Sequence, residues 1–128
     1  MTKPLSKILL VDDEPDIHEV AKMSLEIVGG FEIETCNSGK EAISRVGDIS
    51  PDLILMDVMM PEMNGPDAFS EMQNNGSVDD IPVVFMTAKV QPDEVNSYKE
   101  MGAAEVIAKP FDPMTLADRV RAIWDSVA

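Results

Sequence analysis

Five short runs of aliphatic and β-branched residues alternate along the chain with five longer segments in which apolar residues recur at helical spacing. The runs cover residues 8–11, 31–36, 53–57, 83–87 and 105–108. The helical segments cover residues 16–28, 39–46, 66–74, 92–101 and 113–127. Such alternation is typical of a parallel sheet with helices on both faces. We therefore predict a three-layer α/β fold, built on a doubly wound parallel sheet of five strands.

The residues between these segments support the division. Asp13-Glu14-Pro15 follows the first strand, Asn64-Gly65-Pro66 forms a turn with proline at a helix start, and Asp112-Pro113 offers an N-cap followed by proline. No linker or repeat interrupts the pattern, and 128 residues is a typical length for one domain. We expect residues 1–128 to form a single domain with no effector domain attached, so that any output passes through a partner protein.

The charge balance narrows the possible partners. Asp and Glu number 24 against 10 Lys and Arg, which gives a formal net charge of −14. This charge would repel a phosphate backbone or an anionic membrane surface, so we expect neither nucleic acid nor membrane binding. Cys36 is the only cysteine, which excludes an intrachain disulfide and a cysteine-rich zinc site. With no apolar run approaching the roughly 20 residues of a membrane span, we expect a soluble, cytoplasmic protein.

Polar residues follow four of the five predicted strands. Asp12 and Asp13 follow the first strand, Asp57 ends the third, Thr87 ends the fourth and Lys109 follows the fifth. The carboxyl ends of parallel strands meet at one edge of the sheet, where ligands bind. We therefore expect three carboxylates, a hydroxyl and an ammonium group to converge there.

This set of side chains suits phosphoryl chemistry with a metal ion. Three neighbouring carboxylates repel one another and need a cation, and oxygen ligands with open positions suit Mg²⁺. A lysine and a threonine opposite the metal can bind the remaining phosphoryl oxygens. A carboxylate beside the metal can also act as a nucleophile and form an aspartyl-phosphate.

Four stretches of the sequence carry a resemblance to a known family. They are ILLVDDEPD (residues 8–16), PDLILMDVMMPEMNG (51–65), PVVFMTA (82–88) and GAAEVIAKPF (102–111). With these stretches in order, each at a predicted strand end, the chain resembles a response-regulator receiver domain of two-component signalling, of the stand-alone type. The resemblance implies a flavodoxin-like (βα)5 fold with strand order 2-1-3-4-5. It also implies a phosphoacceptor switch, not an enzyme that turns over a separate substrate.

The resemblance implies a role for each residue of the site. Asp57 is expected to accept the phosphoryl group and to be a metal ligand. Asp13 is expected to bind Mg²⁺ directly, Asp12 largely through water, and the backbone carbonyl of Met59 to complete the metal site. Lys109 is expected to contact the phosphoryl group and to pair with Asp57 in the resting state.

Further residues are expected to form the switch. Thr87 would move toward the phosphoryl oxygen on activation, the small Ala88 leaves room over the site, and the Lys109–Pro110 peptide bond is expected to be cis. Many family members carry an aromatic residue at the position of Val106, and its ring swings inward when the threonine moves. Because Val106 has no ring, that coupling cannot operate in the usual form.

The resemblance also implies partners. A sensor histidine kinase or a phosphotransfer protein is expected to donate the phosphoryl group to Asp57. The output is expected to be a changed affinity for a downstream protein that the sequence does not identify. Weak homodimerisation is expected through the face formed by the fourth helix, the fifth strand and the fifth helix.

Three alternative functions share features of this pattern. A Mg²⁺-dependent phosphatase of the haloacid-dehalogenase type also uses an aspartyl nucleophile, but it needs a second acid two residues later, where this chain has Met59. A flavodoxin-like FMN carrier needs phosphate-binding amides after the first strand, where Asp12 and Asp13 would repel phosphate. A receiver that works by binding alone, without phosphorylation, is the third alternative, and Val106 is the only feature in its favour.

Overall fold

A computed structural model describes residues 3–127 of the chain. Its strands are β1 (Lys7–Val11), β2 (Glu32–Cys36), β3 (Leu53–Asp57), β4 (Val83–Thr87) and β5 (Glu105–Ala108). Its helices are α1 (Pro15–Met23), α2 (Gly39–Ile49), α3 (Gly65–Asn74), α4 (Pro92–Glu100) and α5 (Leu116–Val127). All neighbouring strands are parallel, in the order β2-β1-β3-β4-β5. The predicted α/β class, strand order and flavodoxin-like topology are therefore confirmed.

The sheet divides the apolar side chains into two cores, because successive residues of a strand point to opposite faces. Leu55 and Met86 point into the core beneath α1 and α5. Met56 and Phe85 point into the core beneath α2, α3 and α4. All five residues of β3 and of β4 are buried, as expected for central strands covered on both faces. Three layers follow from this arrangement.

Side-chain hydrogen bonds cap the starts of two helices. The Ser38 side chain accepts a hydrogen bond from the Glu41 amide at 3.1 Å, at the start of α2. The Asn64 side chain accepts one from the Asp67 amide at 2.8 Å, at the start of α3. Each bond pairs a backbone N–H group that the first helical turn leaves free, so these caps fix where the two helices begin.

The fifth helix begins later than predicted. The sequence predicts a start at residue 113, but α5 begins at Leu116. The Asp112 carboxylate accepts a hydrogen bond from the Met114 amide at 2.9 Å, and the Asp112 carbonyl accepts bonds from the amides of Thr115 and Leu116. Asp112 therefore organises a turn, and the helix begins one turn further along the chain.

The first helix ends in a π-helical turn over Ser24–Val28. The predicted helix over residues 16–28 spans both parts. The Ser24 hydroxyl donates a hydrogen bond to the backbone carbonyl of Pro113, which links this turn to the connection between β5 and α5. Within residues 3–127, no helix has both the length and the apolar character needed to cross a bilayer.

Candidate functional site

Backbone hydrogen bonds continue the sheet one residue beyond the strands and so position the site. The Asp12 amide donates to the Cys36 carbonyl at 3.2 Å, and the Lys109 amide donates to the Thr87 carbonyl at 2.9 Å. The amide of Val58, the residue after Asp57, donates to the Met86 carbonyl at 3.0 Å. These bonds hold the carboxyl ends of the strands together at one edge of the sheet, as predicted.

Asp12, Asp13 and Asp57 form an acidic cluster at this edge. Each contributes a carboxylate oxygen, and these oxygens lie within 4.8 Å of one another. Asp12 is fully buried and Asp57 is 2% exposed, while Asp13 is half-buried. Carboxylates this close and this dry repel one another strongly unless a cation lies among them.

Lys109 supplies one such cation. Its Nζ atom lies 2.9 Å from Oδ1 of Asp57, 3.2 Å from Oδ2 of Asp12 and 3.5 Å from Oε1 of Glu14. The predicted contact between Lys109 and Asp57 is present. Glu14 is a further neighbour to which the sequence assigned no role. The Glu14 side chain is exposed, and the carboxylates of Asp57 and Asp12 lie closer to the ammonium group.

Burial and charge shift the pKa values of this pair. Burial raises the pKa of Asp57 above its ordinary value, and the repulsion from Asp12 adds to it, although the Lys109 ammonium group opposes the shift. Burial would lower the pKa of Lys109, but the hydrogen bond to Asp57 and the charge of Asp12 outweigh it, so the pKa of Lys109 is raised. The lysine is therefore charged at neutral pH, and the Asp57 carboxylate is poorly solvated.

Two carboxylate oxygens of the cluster are buried with no hydrogen-bond partner among residues 3–127. They are Oδ1 of Asp13 and Oδ2 of Asp57. Buried polar atoms are almost always paired, so two unpaired oxygens in one carboxylate cluster indicate a site for a cation. Carboxylate oxygens are the ligands that Mg²⁺ prefers, and the residues present fit this ion.

The other two predicted metal ligands, Asp12 and Met59, have no such unpaired side-chain oxygen. Both oxygens of Asp12 are engaged, one by the Glu14 amide at 2.9 Å and one by Lys109. The indirect role of Asp12, through water, stays a prediction. Met59 follows β3 and is 66% exposed, and the role of its backbone carbonyl stays a prediction.

The predicted switch residues lie on β4, on β5 and in the segments that follow these two strands. Thr87 is buried, and its hydroxyl oxygen accepts a hydrogen bond from the Lys89 amide at 3.1 Å. Ala88 and Pro110 are exposed, and the Lys109–Pro110 peptide bond is cis as predicted. Val106 is buried on β5, two residues before the end of that strand, and it pairs in register with Phe85 of β4. The movements predicted for these residues stay predictions.

Gly65 is a site-forming residue that sequence reasoning missed. A Cβ atom at this position would lie 2.4 Å from the backbone oxygen of Asp57, and the Gly65 amide donates to the Val58 carbonyl at 2.9 Å. Only glycine allows this approach, which folds the loop after β3 back against Asp57. The motif Asn64-Gly65-Pro66 indicated a turn, but it does not reveal which backbone the glycine touches.

Comparison with known proteins agrees with this geometry. The family model described as "Response regulator receiver domain" matches residues 8–121. The transcriptional regulatory protein CpxR homolog of Haemophilus influenzae is 37% identical over 119 residues, which cover 93% of this chain and 50% of the relative. The response regulator SaeR of Staphylococcus aureus is 37% identical over 116 residues, which cover 91% of this chain and 49% of the relative. The chain thus spans about half the length of these curated relatives.

Solved structures show the same fold over nearly the whole chain. The chemotaxis response regulator CheY4 of Vibrio cholerae superposes with a TM-score of 0.85 at 28% identity, and the match covers 93% of this chain and 98% of that one. A CheY-like response regulator receiver domain protein from Methanospirillum hungatei gives a TM-score of 0.82 at 28% identity, and the match covers 95% of this chain and 96% of that one. The chain belongs to the response-regulator receiver family of two-component signalling, whose members are phosphoacceptor switches that bind Mg²⁺ at an acidic pocket and interact with histidine kinases or phosphotransfer proteins.

Proposed function

We propose that Asp57 accepts a phosphoryl group in a Mg²⁺-dependent reaction and thereby changes the affinity of this domain for a partner protein. The observation that carries the proposal is the unpaired, buried Oδ2 atom of Asp57, which lies in a cluster that also contains an unpaired oxygen of Asp13 and the Lys109 ammonium group. One oxygen of Asp57 is thus held by the Lys109 ammonium group, while the other has no partner among residues 3–127.

The proposed reaction transfers a phosphoryl group from a phosphohistidine to the Asp57 carboxylate. An oxygen of Asp57 forms a bond to phosphorus while the phosphorus–nitrogen bond of a phosphohistidine breaks, and the imidazole nitrogen keeps the electron pair. The poor solvation of the Asp57 carboxylate, seen in its raised pKa, favours attack. Lys109 stays beside the phosphoryl oxygens, and its ammonium group stabilises their negative charge. Attack of water on phosphorus later breaks the bond between phosphorus and the Asp57 oxygen, which restores the carboxylate and releases inorganic phosphate.

We propose Asp13 and Asp57 as direct ligands of Mg²⁺, with the Met59 carbonyl as a third and Asp12 acting through water. When bound, Mg²⁺ supplies positive charge opposite the phosphoryl oxygens. This role is consistent with the two orphaned oxygens, which would otherwise be costly to bury.

Thr87 is the residue best placed to sense the product. Its hydroxyl oxygen accepts a bond from Lys89, so its hydroxyl hydrogen is available to a phosphoryl oxygen. A move of Thr87 toward that oxygen would pull on the loop through Ala88 and Lys89, which leads into α4. Together with Val106 and Pro110, these residues are the proposed switch.

We propose that the chain turns over no separate substrate. Met59 stands two residues after Asp57, where a phosphatase of the same chemistry needs a general acid, and its thioether cannot donate a proton. FMN binding is disfavoured because Asp12, Asp13 and Glu14 would repel its phosphate at the end of β1.

Two kinds of protein partner are proposed, a phosphoryl donor and a protein that responds to phosphorylation. The phosphoryl donor is a sensor histidine kinase or a phosphotransfer protein, and the output is read by a downstream protein or by a surface of a second copy that meets α4, β5 and α5. The net charge of −14 argues against nucleic acid and anionic membranes as partners of this domain. A cytoplasmic location is proposed on the single cysteine and the lack of long apolar runs in the sequence.

Intact-mass spectrometry tests the proposal. The protein is incubated with acetyl phosphate and Mg²⁺, and the expected result is a gain of one phosphoryl group that EDTA prevents. Asp57→Asn should show no gain. A wild-type protein that gains no mass, or an Asp57→Asn variant that gains as much as wild type, would contradict it.

A further inference from the structure

Helix α4 is held to the sheet more loosely than its neighbours. Within residues 3–127 it is the one helix with no buried residue, and only Glu94, Val95 and Tyr98 are even half-buried. Its ion pair to the sheet joins Lys99 to Glu105 at 3.1 Å, and both side chains are partly exposed. Such a pair contributes little, so the apolar contacts decide where this helix lies.

The main apolar contact of α4 is an aromatic pair. The ring of Tyr98 meets the ring of Phe85 edge to face, with centroids 5.3 Å apart, and Phe85 meets Phe69 of α3 in the same way at 5.6 Å. Phe85 is fully buried and so cannot move without its neighbours. Tyr98 is half-buried and lies beside exposed residues of its own helix, so its ring is not enclosed as that of Phe85 is.

This pair lies on the route from the acidic cluster to α4. Phe85 and Thr87 point to the same face of β4, because they are two residues apart. On β5, Phe85 has Val106 as its register partner, and the aliphatic Val106 brings no ring to this face. The ring that covers Phe85 from the helix side therefore comes from Tyr98.

We propose that Tyr98 is the residue that couples the state of Asp57 to the position of α4. This inference rests on the proposed function. When Thr87 moves toward a phosphoryl group, the loop through Lys89 shifts, and the Tyr98 ring slides across the fixed Phe85 ring. The helix follows, because the aromatic pair is its main apolar attachment.

The single tyrosine of the chain gives a direct test. Protein labelled with 3-fluorotyrosine carries one fluorine reporter, at Tyr98. In one sample, acetyl phosphate and Mg²⁺ are added and both the intact mass and the fluorine resonance are followed. The expected result is a new resonance that grows with the phosphorylated fraction. Full mass gain with an unchanged resonance overturns the role of Tyr98 alone, whereas no mass gain overturns the proposed function and this inference together.

Hydrogen exchange of the α4 amides separates coupling from simple packing. In Tyr98→Ala, exchange without phosphorylation should be about tenfold faster, and phosphorylation should no longer change it. Tyr98→Phe, which keeps the ring, should retain the wild-type dependence on phosphorylation. Val95→Ala is the matched control on the same helix, and it should loosen α4 while retaining that dependence. A Tyr98→Ala protein whose α4 still responds to phosphorylation as wild type does would overturn the proposal.

Discussion

A Cβ atom on Gly65 would lie 2.4 Å from the backbone carbonyl oxygen of Asp57. That distance is far below van der Waals contact, and the obstacle is main chain, which cannot rotate away. The shape of the loop after β3, and with it the position of the proposed phosphoacceptor, therefore depends on the absence of a side chain at this residue.

Gly65→Ala should impair both folding and phosphoryl transfer. The added methyl group must displace the Asp57 backbone, so we expect a loss of about 2 kcal/mol in the free energy of unfolding, as for other overpacked sites. The rate of phosphorylation by acetyl phosphate should fall as well. Urea denaturation and intact-mass time courses measure the two effects.

Gly47→Ala is the control for that substitution. Gly47 is exposed in α2, and a Cβ atom there would meet nothing within 4 Å. We expect this variant to be more stable by about 0.5–1 kcal/mol, because alanine is the better helix former. If both variants behaved alike, the close approach to Asp57 would not be what constrains residue 65.

Lys109→Met should destabilise the protein in the absence of Mg²⁺. The change leaves the buried carboxylates of Asp12 and Asp57 with no cation, and breaking a buried ion pair in this way costs about 3 kcal/mol. Mg²⁺ should restore part of the loss, because it binds the folded state only. Lys99→Met removes an exposed pair with Glu105 and should cost less than about 1 kcal/mol. Equal losses in the two variants, measured by denaturation in EDTA, would argue against the central position of Lys109.

Asp57→Asn should raise the stability of the protein at pH 7 in EDTA. The pKa of Asp57 is raised by burial, so its contribution to stability is present below its unfolded pKa and is lost as pH rises through the folded value. At pH 7 the ionised group is thus unfavourable, and asparagine removes it. We expect a higher urea midpoint than in wild type in EDTA, and a smaller stabilisation by Mg²⁺. A lower midpoint in EDTA would mean that the Lys109 pair outweighs burial.

Asp52 should make the folded state sensitive to acid. Burial raises its pKa, but a hydrogen bond from Lys3 and the backbone amides of Lys7 and Ser6 outweigh this, so the pKa lies below its ordinary value of 3.8. The stabilisation is full above that value and is lost as pH falls through the folded pKa. Asp52→Asn should cost about 1–2 kcal/mol at pH 7. The difference from wild type should shrink below about pH 4, and a difference independent of pH would contradict this.

The Cys36 thiol should be unreactive in the native protein. It is buried, and burial raises its pKa to about 11, helped by repulsion from Glu41. At pH 8 only about one thiol in a thousand would be ionised, compared with roughly a quarter for an ordinary cysteine. A chromogenic disulfide reagent should label the native protein only at the rate of its opening, and should label it at once in urea. Rapid labelling without denaturant would show that Cys36 is accessible.

The fold was predictable because its signals are local. Each predicted strand, such as that over residues 53–57, is a short apolar run, and strand ends reveal themselves by a change from aliphatic to polar residues. The chemistry of the site was predictable for the same reason, since Asp12, Asp57 and Lys109 all follow such runs. Their convergence then follows from the geometry of a parallel sheet.

What the sequence did not reveal depends on contacts between distant residues. The approach of Gly65 to Asp57 and the place of Glu14 beside Lys109 exist only once the strands are assembled. The late start of α5 results from the turn that Asp112 organises, which outweighs the helix-start signal of Pro113. The pairing of Tyr98 with Phe85 joins two elements whose separate patterns give no sign of it.

Chemical trapping of the phosphorylated residue tests the central claim most directly. After incubation with acetyl phosphate and Mg²⁺, borohydride reduces an acyl phosphate of aspartate to homoserine, and peptide mass spectrometry locates the reduced residue. We predict homoserine at position 57 alone, with none when Mg²⁺ is removed. A reduced residue at Asp12 or Asp13, or a phosphoryl group that borohydride does not release, would contradict the assignment of Asp57 as the phosphoacceptor.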